Sequence, residues 1–252
     1  MTTLRHLSAS SIATYQECPL AFYGRYIAHW PESHPPMMVT AMALGRVVHS
    51  ALEAHHQGLD AVVALCEAWG KLGHPMPSGY FAKALELTRL YTSTEPRDPR
   101  DVTEQKFRLE VPGVPVPIIG YIDCQRGLVV KEFKTTGSAT WWTQERADSA
   151  LQVTIYSMHV AKQNHGGQAS AEIHVLSHRD NDYTHTVLHT TRNKADQEEG
   201  REIIRSVWAK IQDGELNAVC KSGSCRFPEH CREYGYVGPD TRELIVMKEL
   251  SA

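Results

Sequence analysis

The sequence predicts an α/β fold with a central mixed β-sheet flanked by helices, and three observations carry that expectation. Helical spacing runs through the first 95 residues, a period-two alternation replaces it from about residue 102, and helix and strand patterns then alternate to about residue 212. Ser8 and Ser10 are candidate N-caps for a helical stretch over 8–29, whose apolar face (Ile12, Tyr15, Leu20, Tyr23) is broken at Pro19. A second helix over 40–57 sets Leu44, Val48, Ala51 and Leu52 on one side, and two more are expected over 60–72 and 78–92. The prolines and charges of EPRDPRD make 95–101 a loop. Phe107, Leu109 and Val111 alternate in a strand over 102–111, and strands over 116–124 and 128–135 are joined by a tight turn at Gln125-Arg126-Gly127. A long helix over 143–164, strands over 171–178 and 184–190 and a helix over 193–212 complete the pattern. This is one expected domain, with a helical N-terminal region (residues 1–95), a core (96–213) and a cysteine-bearing tail (214–252).

The 252 residues are 42% hydrophobic and 22% charged, enough apolar chain to bury a core without disulfide help. No apolar run approaches the roughly 20 residues of a membrane span. The N-terminus MTTLRHLSASS lacks the apolar stretch of a secretory signal, so a cytoplasmic setting is expected, in a host cell or for a phage replicating in one. A net charge of −3 requires any nucleic acid to be held by a local basic surface. That disfavours a passive DNA-coating protein but not an enzyme whose metal ions bring positive charge to the phosphate. No GxxxxGK[ST] loop is present, so an ATP-driven helicase is excluded.

The most informative stretch is GYIDCQRGLVVKEFKTTG, 120–137. Glu132 and Lys134 share one strand face, and Phe133 points to the other. With the turn at Arg126-Gly127, Asp123 falls opposite Val130 and diagonal to Glu132, roughly 7–8 Å away, near enough for two carboxylates to share a cation. Hard oxygen ligands suit Mg²⁺ or Mn²⁺. Such an ion activates water and polarises a phosphoryl oxygen, and a neighbouring lysine, its pKa pushed down by burial and the cation, orients that water or takes its proton. Two helical pairs accompany the strands: His49 and Glu53 in GRVVHSALE, and Gln152 and Tyr156 in ALQVTIYS. Alone, each is an ordinary core or surface pair.

Their order, helical His, strand Asp, strand Glu-x-Lys, helical Gln-x3-Tyr, resembles the RecB-like branch of the PD-(D/E)XK nucleases, which includes the AddB nuclease domain and CRISPR-associated RecB-like exonucleases. The likeness starts at LSASSIATYQECPLAFYGRY, passes through LGRVVHSALE, IIGYIDCQRGLVVKEFKT and LQVTIYS, and ends in the C-terminal cysteines. It implies a restriction-endonuclease-like core in which His49, Asp123, Glu132 and the backbone carbonyl of Phe133 ligate the metal. By the same likeness Lys134 is the catalytic lysine, and Gln152 and Tyr156 line the site and meet the DNA. Glu104, heading the first strand, is a candidate outer group.

The branch often holds a 4Fe-4S cluster on one early and three late cysteines, and Cys18 with Cys220, Cys225 and Cys231 fits that set. Thiolates suit Fe-S or zinc, and free thiols are the third alternative. Cys220-x4-Cys225 is longer than the family's usual C-x2-C. Cys66 and Cys124 are expected in the core. Trp141 and Trp142 are either a stacking platform for an unpaired base or loop packing, with packing expected for at least one ring. Arg25, Arg46, Lys131 and Arg146 are candidate phosphate contacts, whereas the histidines at 55, 56, 159, 165, 174, 178, 185 and 189 lack one coherent spacing and are taken as structural or solvated. The resulting expectation is a DNA exonuclease on single-stranded or frayed ends, in recombination, repair, phage DNA processing or CRISPR adaptation, with a helicase or recombination partner. A non-catalytic DNA-end-binding module of the same fold and a restriction-type endonuclease are the alternatives.

Overall fold

A computed structural model describes residues 4–34, 36–162, 167–179, 182–216 and 226–233. His165, Cys220 and Cys225, and most of the tail, lie outside the described residues. The chain forms two compact units, one of residues 1–35, 108–120 and 198–252, the other of 36–107 and 121–197.

In the first unit, Ser8 caps α1 (Ala9–Glu17) through a reciprocal box. Its hydroxyl accepts from the Ser11 N–H at 3.1 Å, and Ser11 Oγ accepts from the Ser8 N–H at 2.8 Å. Cys18 then turns extended, and Pro19 opens α2 (Pro19–Tyr26) at a position where its missing N–H is harmless. Segments from early and late in the chain meet in this unit. Tyr15 OH donates to the Glu215 carbonyl at 2.7 Å, the Ser33 N–H donates to the Arg226 carbonyl at 2.8 Å, and Trp30 stacks on His230 at 4.3 Å. The last two contacts lie beside a short helix, α9 (Pro228–Glu233), which the apolar pattern did not reveal.

In the second unit α3 (Pro36–His56), α4 (Ala61–Gly70) and α5 (Tyr80–Thr94) pack together. The sheet comprises β1 (Val102–Leu109), β2 (Ile118–Arg126), β3 (Val129–Thr136), β4 (Ala169–Arg179) and β5 (Asp182–Arg192), in sequence order. It is mixed, because β3 runs antiparallel to β2 but parallel to β4, and β4 is antiparallel to β5. The parallel step needs a crossover, supplied by α6 (Gln144–Asp148) and α7 (Leu151–Lys162); α8 (Lys194–Gln212) follows β5. The main core joins Leu44, Val48, Leu52, Leu65, Leu87 and Tyr91 to Cys124, Phe133 and Leu176 on one sheet face. Burying a ring such as Phe133 contributes ~1.5–3 kcal/mol.

Three local expectations are corrected. The expected 143–164 helix is two helices, because buried Arg192 donates to the Ala147 carbonyl at 2.9 Å, the acceptor a continuous helix would have used. The hairpin loop is Gly127-Leu128 rather than Arg126-Gly127: Gly127 takes φ +57°, which favours glycine, and Arg126 pairs with Val129. Cys66 is exposed, not core, since short α4 buries only Ala61 and Leu65 and leaves Val62 and Val63 outside.

Beneath the same face as Phe133 lies a polar network. Asp101, with no exposed side-chain surface, accepts from Arg126 Nε and Nη2 at 2.7 and 3.0 Å and pairs with His56 at 2.7 Å, while His56 meets Tyr91 OH at 2.7 Å. Burial alone would raise the Asp101 pKa, but the Arg126, backbone and His56 contacts outweigh it and hold the carboxyl below the usual range. Its contribution is therefore present at neutral pH and lost on acidification below the ordinary carboxylate range. Asp101→Ala, which leaves Arg126 with Asp98 at 3.7 Å and His56 with the Tyr91 hydroxyl, is expected to lower unfolding free energy by about 3–5 kcal/mol, read from urea denaturation at neutral pH. A loss under about 1 kcal/mol, the scale of an exposed ion pair, would show that the network is not structural.

Candidate active site

The register of β2 and β3 decides where the acidic groups meet. Pairing runs Cys124–Lys131, Gln125–Val130, Arg126–Val129; one step further sets Asp123 directly across from Glu132. The diagonal placement expected from the sequence is thereby corrected. Beyond Cys124 the Asp123 side chain takes over from the backbone ladder, its Oδ2 accepting from the Phe133 N–H at 2.8 Å. From α3, His49 Nδ1 reaches within 3.8 Å of the same oxygen, and its ring meets Phe133 edge-on. The helix can come this close because Gly45 faces Thr135: a Cβ there would lie 3.0 Å from Thr135 Oγ1.

From the other sheet face α7 delivers Gln152 and Tyr156, one turn apart. Lys134 Nζ donates to Glu132 Oε1 at 2.6 Å and to Gln152 Oε1 at 3.1 Å. Gln152 Nε2 in turn donates to Glu132 Oε1 at 2.8 Å and to Tyr156 OH at 2.8 Å. Glu132 is only 3% exposed, and its second oxygen, Oε2, is buried without a hydrogen-bond partner. A buried carboxylate oxygen left unsatisfied is costly unless a cation or donor comes to it.

The charges are correspondingly perturbed. Burial, then repulsion from Glu132, pushes the Asp123 carboxyl well above its ordinary value, against the opposing Phe133 N–H and Lys134. Burial draws Lys134 down, but the Glu132 and Asp123 carboxylates outweigh it, so the protein groups alone leave its pKa raised, opposite to the sequence-based expectation. Burial lowers His49, with Glu132 and the Phe133 backbone only partly offsetting it, which favours the neutral, ligating imidazole. Gly45, Arg46, His49, Ser50, Glu53 and Glu104 line an open pocket of about 440 Å³. Glu104 has φ +46°, a left-handed backbone that costs a non-glycine residue ~1–2 kcal/mol, and partial burial, Glu53 and Glu132 raise its pKa.

Two carboxylates, one with a buried oxygen that no donor reaches, and an imidazole held toward its neutral form are ligand types suited to a divalent cation. Among the described residues the groups that bring three ligand-type side chains within 4.8 Å of one another are His56/Asp101/Cys124 and Glu95/Glu172/His174; the donor atoms of His49, Asp123 and Glu132 do not come that close together. Each already holds a protein cation, Arg126 at Asp101 and Lys131 at Glu95. Lys131, 2% exposed and paired with Glu95 and Glu172, is removed from the candidate phosphate contacts. Arg25 pairs with Glu32 at 3.0 Å, Arg46 is exposed at the pocket, and Arg146 lies over the Trp141 ring at 3.9 Å. Trp142 is half-buried with its ring 5.8 Å from Lys134 Nζ, and Trp141 is 58% exposed. Sequence reasoning missed Ser50 and the role of Gly45; the glycine inside an otherwise apolar helical pattern was the available signal.

No curated protein matches the chain significantly. A crystal structure of a protein from Eubacterium rectale, described as "Putative exonuclease", aligns with 93% of this chain and 90% of its own, at 14% identity and a TM-score of 0.59, which establishes the shared fold. A crystal structure of SSO0001 aligns with 67% of this chain and 75% of its own at 14% identity, with a TM-score of 0.33 too low to weigh. The family match itself spans residues 6–232 and takes in every site residue above, and on it the chain belongs to the PD-(D/E)XK nuclease superfamily.

Proposed function

We propose that the protein is a divalent-metal-dependent deoxyribonuclease that hydrolyses phosphodiester bonds at the Asp123/Glu132/Lys134 corner. The observation that carries this is Glu132 Oε2, buried and unpartnered beside Asp123 and His49. In this reading His49, Asp123, Glu132 and the Phe133 carbonyl hold Mg²⁺ or Mn²⁺. When bound, the ion lowers the pKa of water and polarises the phosphoryl oxygen. Lys134, kept charged by its carboxylate neighbours, orients the attacking water and offsets charge growing on the phosphate. Gln152 and Tyr156 act as positioning residues, fixing the Lys134 amine and the Glu132 carboxylate through their hydrogen bonds.

The order of the motifs supports placement in the RecB-like branch, and with it exonuclease action on single-stranded or frayed DNA ends. Recombination, repair, phage DNA processing or CRISPR adaptation would be its setting, in the cytoplasm and alongside a helicase. The whole chain is read as one nuclease domain. Cys18 and Cys231 belong to the same compact unit, which supports a 4Fe-4S cluster completed by Cys220 and Cys225. Such a cross-link would stabilise by closing a long loop of chain.

Labelled linear DNA should be degraded with Mn²⁺ and spared with chelator, and closed circular DNA should resist. Lys134→Ala should slow cutting by about 10²–10⁴-fold; unchanged rates would refute the assignment. Because the raised Asp123 pKa makes the metal-free fold less stable as pH climbs past the ordinary carboxylate range, Asp123→Asn should raise the metal-free Tm at neutral pH. The same variant should abolish the Tm increase that Mn²⁺ produces in the native protein, an increase expected to fade on acidification before ordinary carboxylates protonate. A Tm response to Mn²⁺ that survives Asp123→Asn would remove Asp123 from the ligand set. Anaerobically purified protein should be brown with a broad visible absorption band, lost in Cys18→Ser; a colourless native sample would dismiss the iron-sulfur cluster.

A further inference from the structure

We infer that Trp141, backed by Arg146, is a stacking seat for an unpaired base beside the phosphate being cut, and that it sets a preference for single strands. This rests on the nuclease reading for its location but not for its test. Trp141 keeps 58% of its surface exposed although the Arg146 guanidinium already lies 3.9 Å from its ring centroid. An indole left this bare is unusual for so large an apolar side chain, and the loop that presents it is built rather than slack. The Ser138 N–H donates to Thr136 Oγ1 at 3.1 Å, the Trp141 N–H to the Ser138 carbonyl at 3.3 Å, and Thr143 caps α6 by accepting from the Arg146 N–H at 3.2 Å. Thr140, Trp141, Thr143, Glu145, Arg146 and Ser149 together line an open pocket of about 440 Å³.

Position gives the seat its occupant. The adjacent Trp142 ring stands 5.8 Å from Lys134 Nζ, so the exposed indole is the next aromatic out from the amine that faces the phosphate. Arg146 adds positive charge suited to a backbone phosphate while holding one side of the ring. A base inside a duplex has both faces occupied by its neighbours and cannot use such a ring without unstacking, and a blunt end frees a single face, whereas a single strand offers a face at every base.

The test is anisotropy of a labelled oligo-dT and of a blunt hairpin duplex with the full-length protein, in chelator so that nothing is cut. The native protein should prefer oligo-dT. Trp141→Ala should weaken oligo-dT binding by about 5–150-fold, the range of one lost base stack, with Trp141→Phe restoring most of it. The slope of affinity against salt should stay unchanged, because no phosphate contact is removed. Equal binding of the two DNAs by the native protein, an unaffected Trp141→Ala variant, or a parallel loss for both DNAs would overturn the inference. Trp141-dependent binding in a protein that never cuts with Mn²⁺ would leave this seat standing and sink the nuclease reading instead.

Discussion

The candidate site depends on one substitution in the sheet's bonding. The Asp123 carboxylate accepts the Phe133 N–H where a main-chain carbonyl would otherwise serve. That single bond draws a buried carboxylate up against Glu132, so two like charges share a desolvated corner with Lys134 as the neighbouring cation. One ammonium cannot satisfy four carboxylate oxygens, and Glu132 Oε2 is left buried without a donor. The corner is thus electrostatically incomplete in the protein alone, an arrangement that weakens the fold locally and favours a divalent ion.

The opposite face of the sheet shows how the same residue types behave when the charges close. Asp101 is matched by Arg126 and His56, and Glu95 and Glu172 are matched by Lys131. His174 and His185 touch at 3.0 Å, and burial takes His185 down to about 4, so both belong to the packing. Phe133 links the two faces: its ring packs among Tyr91, His56 and His174, while its backbone N–H holds Asp123. A stable, neutralised layer on one side therefore fixes the strand that carries an unneutralised one on the other.

The aromatic pair after β3 extends this logic to the substrate. Trp142 stands by the lysine, Trp141 is left bare, and both ride on a loop whose hydrogen bonds close on β3 and on the cap of α6. Recognition and chemistry would then share one strand end. The unit that joins early and late segments of the chain offers a separate anchoring device, with Trp30 stacked on His230.

Much of this was legible in the chain because it depends on local periodicity. Strand alternation alone put Glu132 and Lys134 on one face and Phe133 on the other, helical spacing paired Gln152 with Tyr156, and the change of period marked the α/β class. What local pattern could not supply was anything set by contacts distant in sequence. A one-residue difference in hairpin loop moved Asp123 from diagonal to opposite Glu132, and Arg192, 45 positions from Ala147, split a helix that looked continuous. Lys131 looked like a phosphate contact until Glu95 and Glu172 enclosed it, and Lys134 looked like a lowered amine until its carboxylate neighbours were placed. By itself the sequence determined which groups can reach a common face; only the tertiary structure decided which charges are neutralised there, because pairing and burial depend on neighbours brought together by folding.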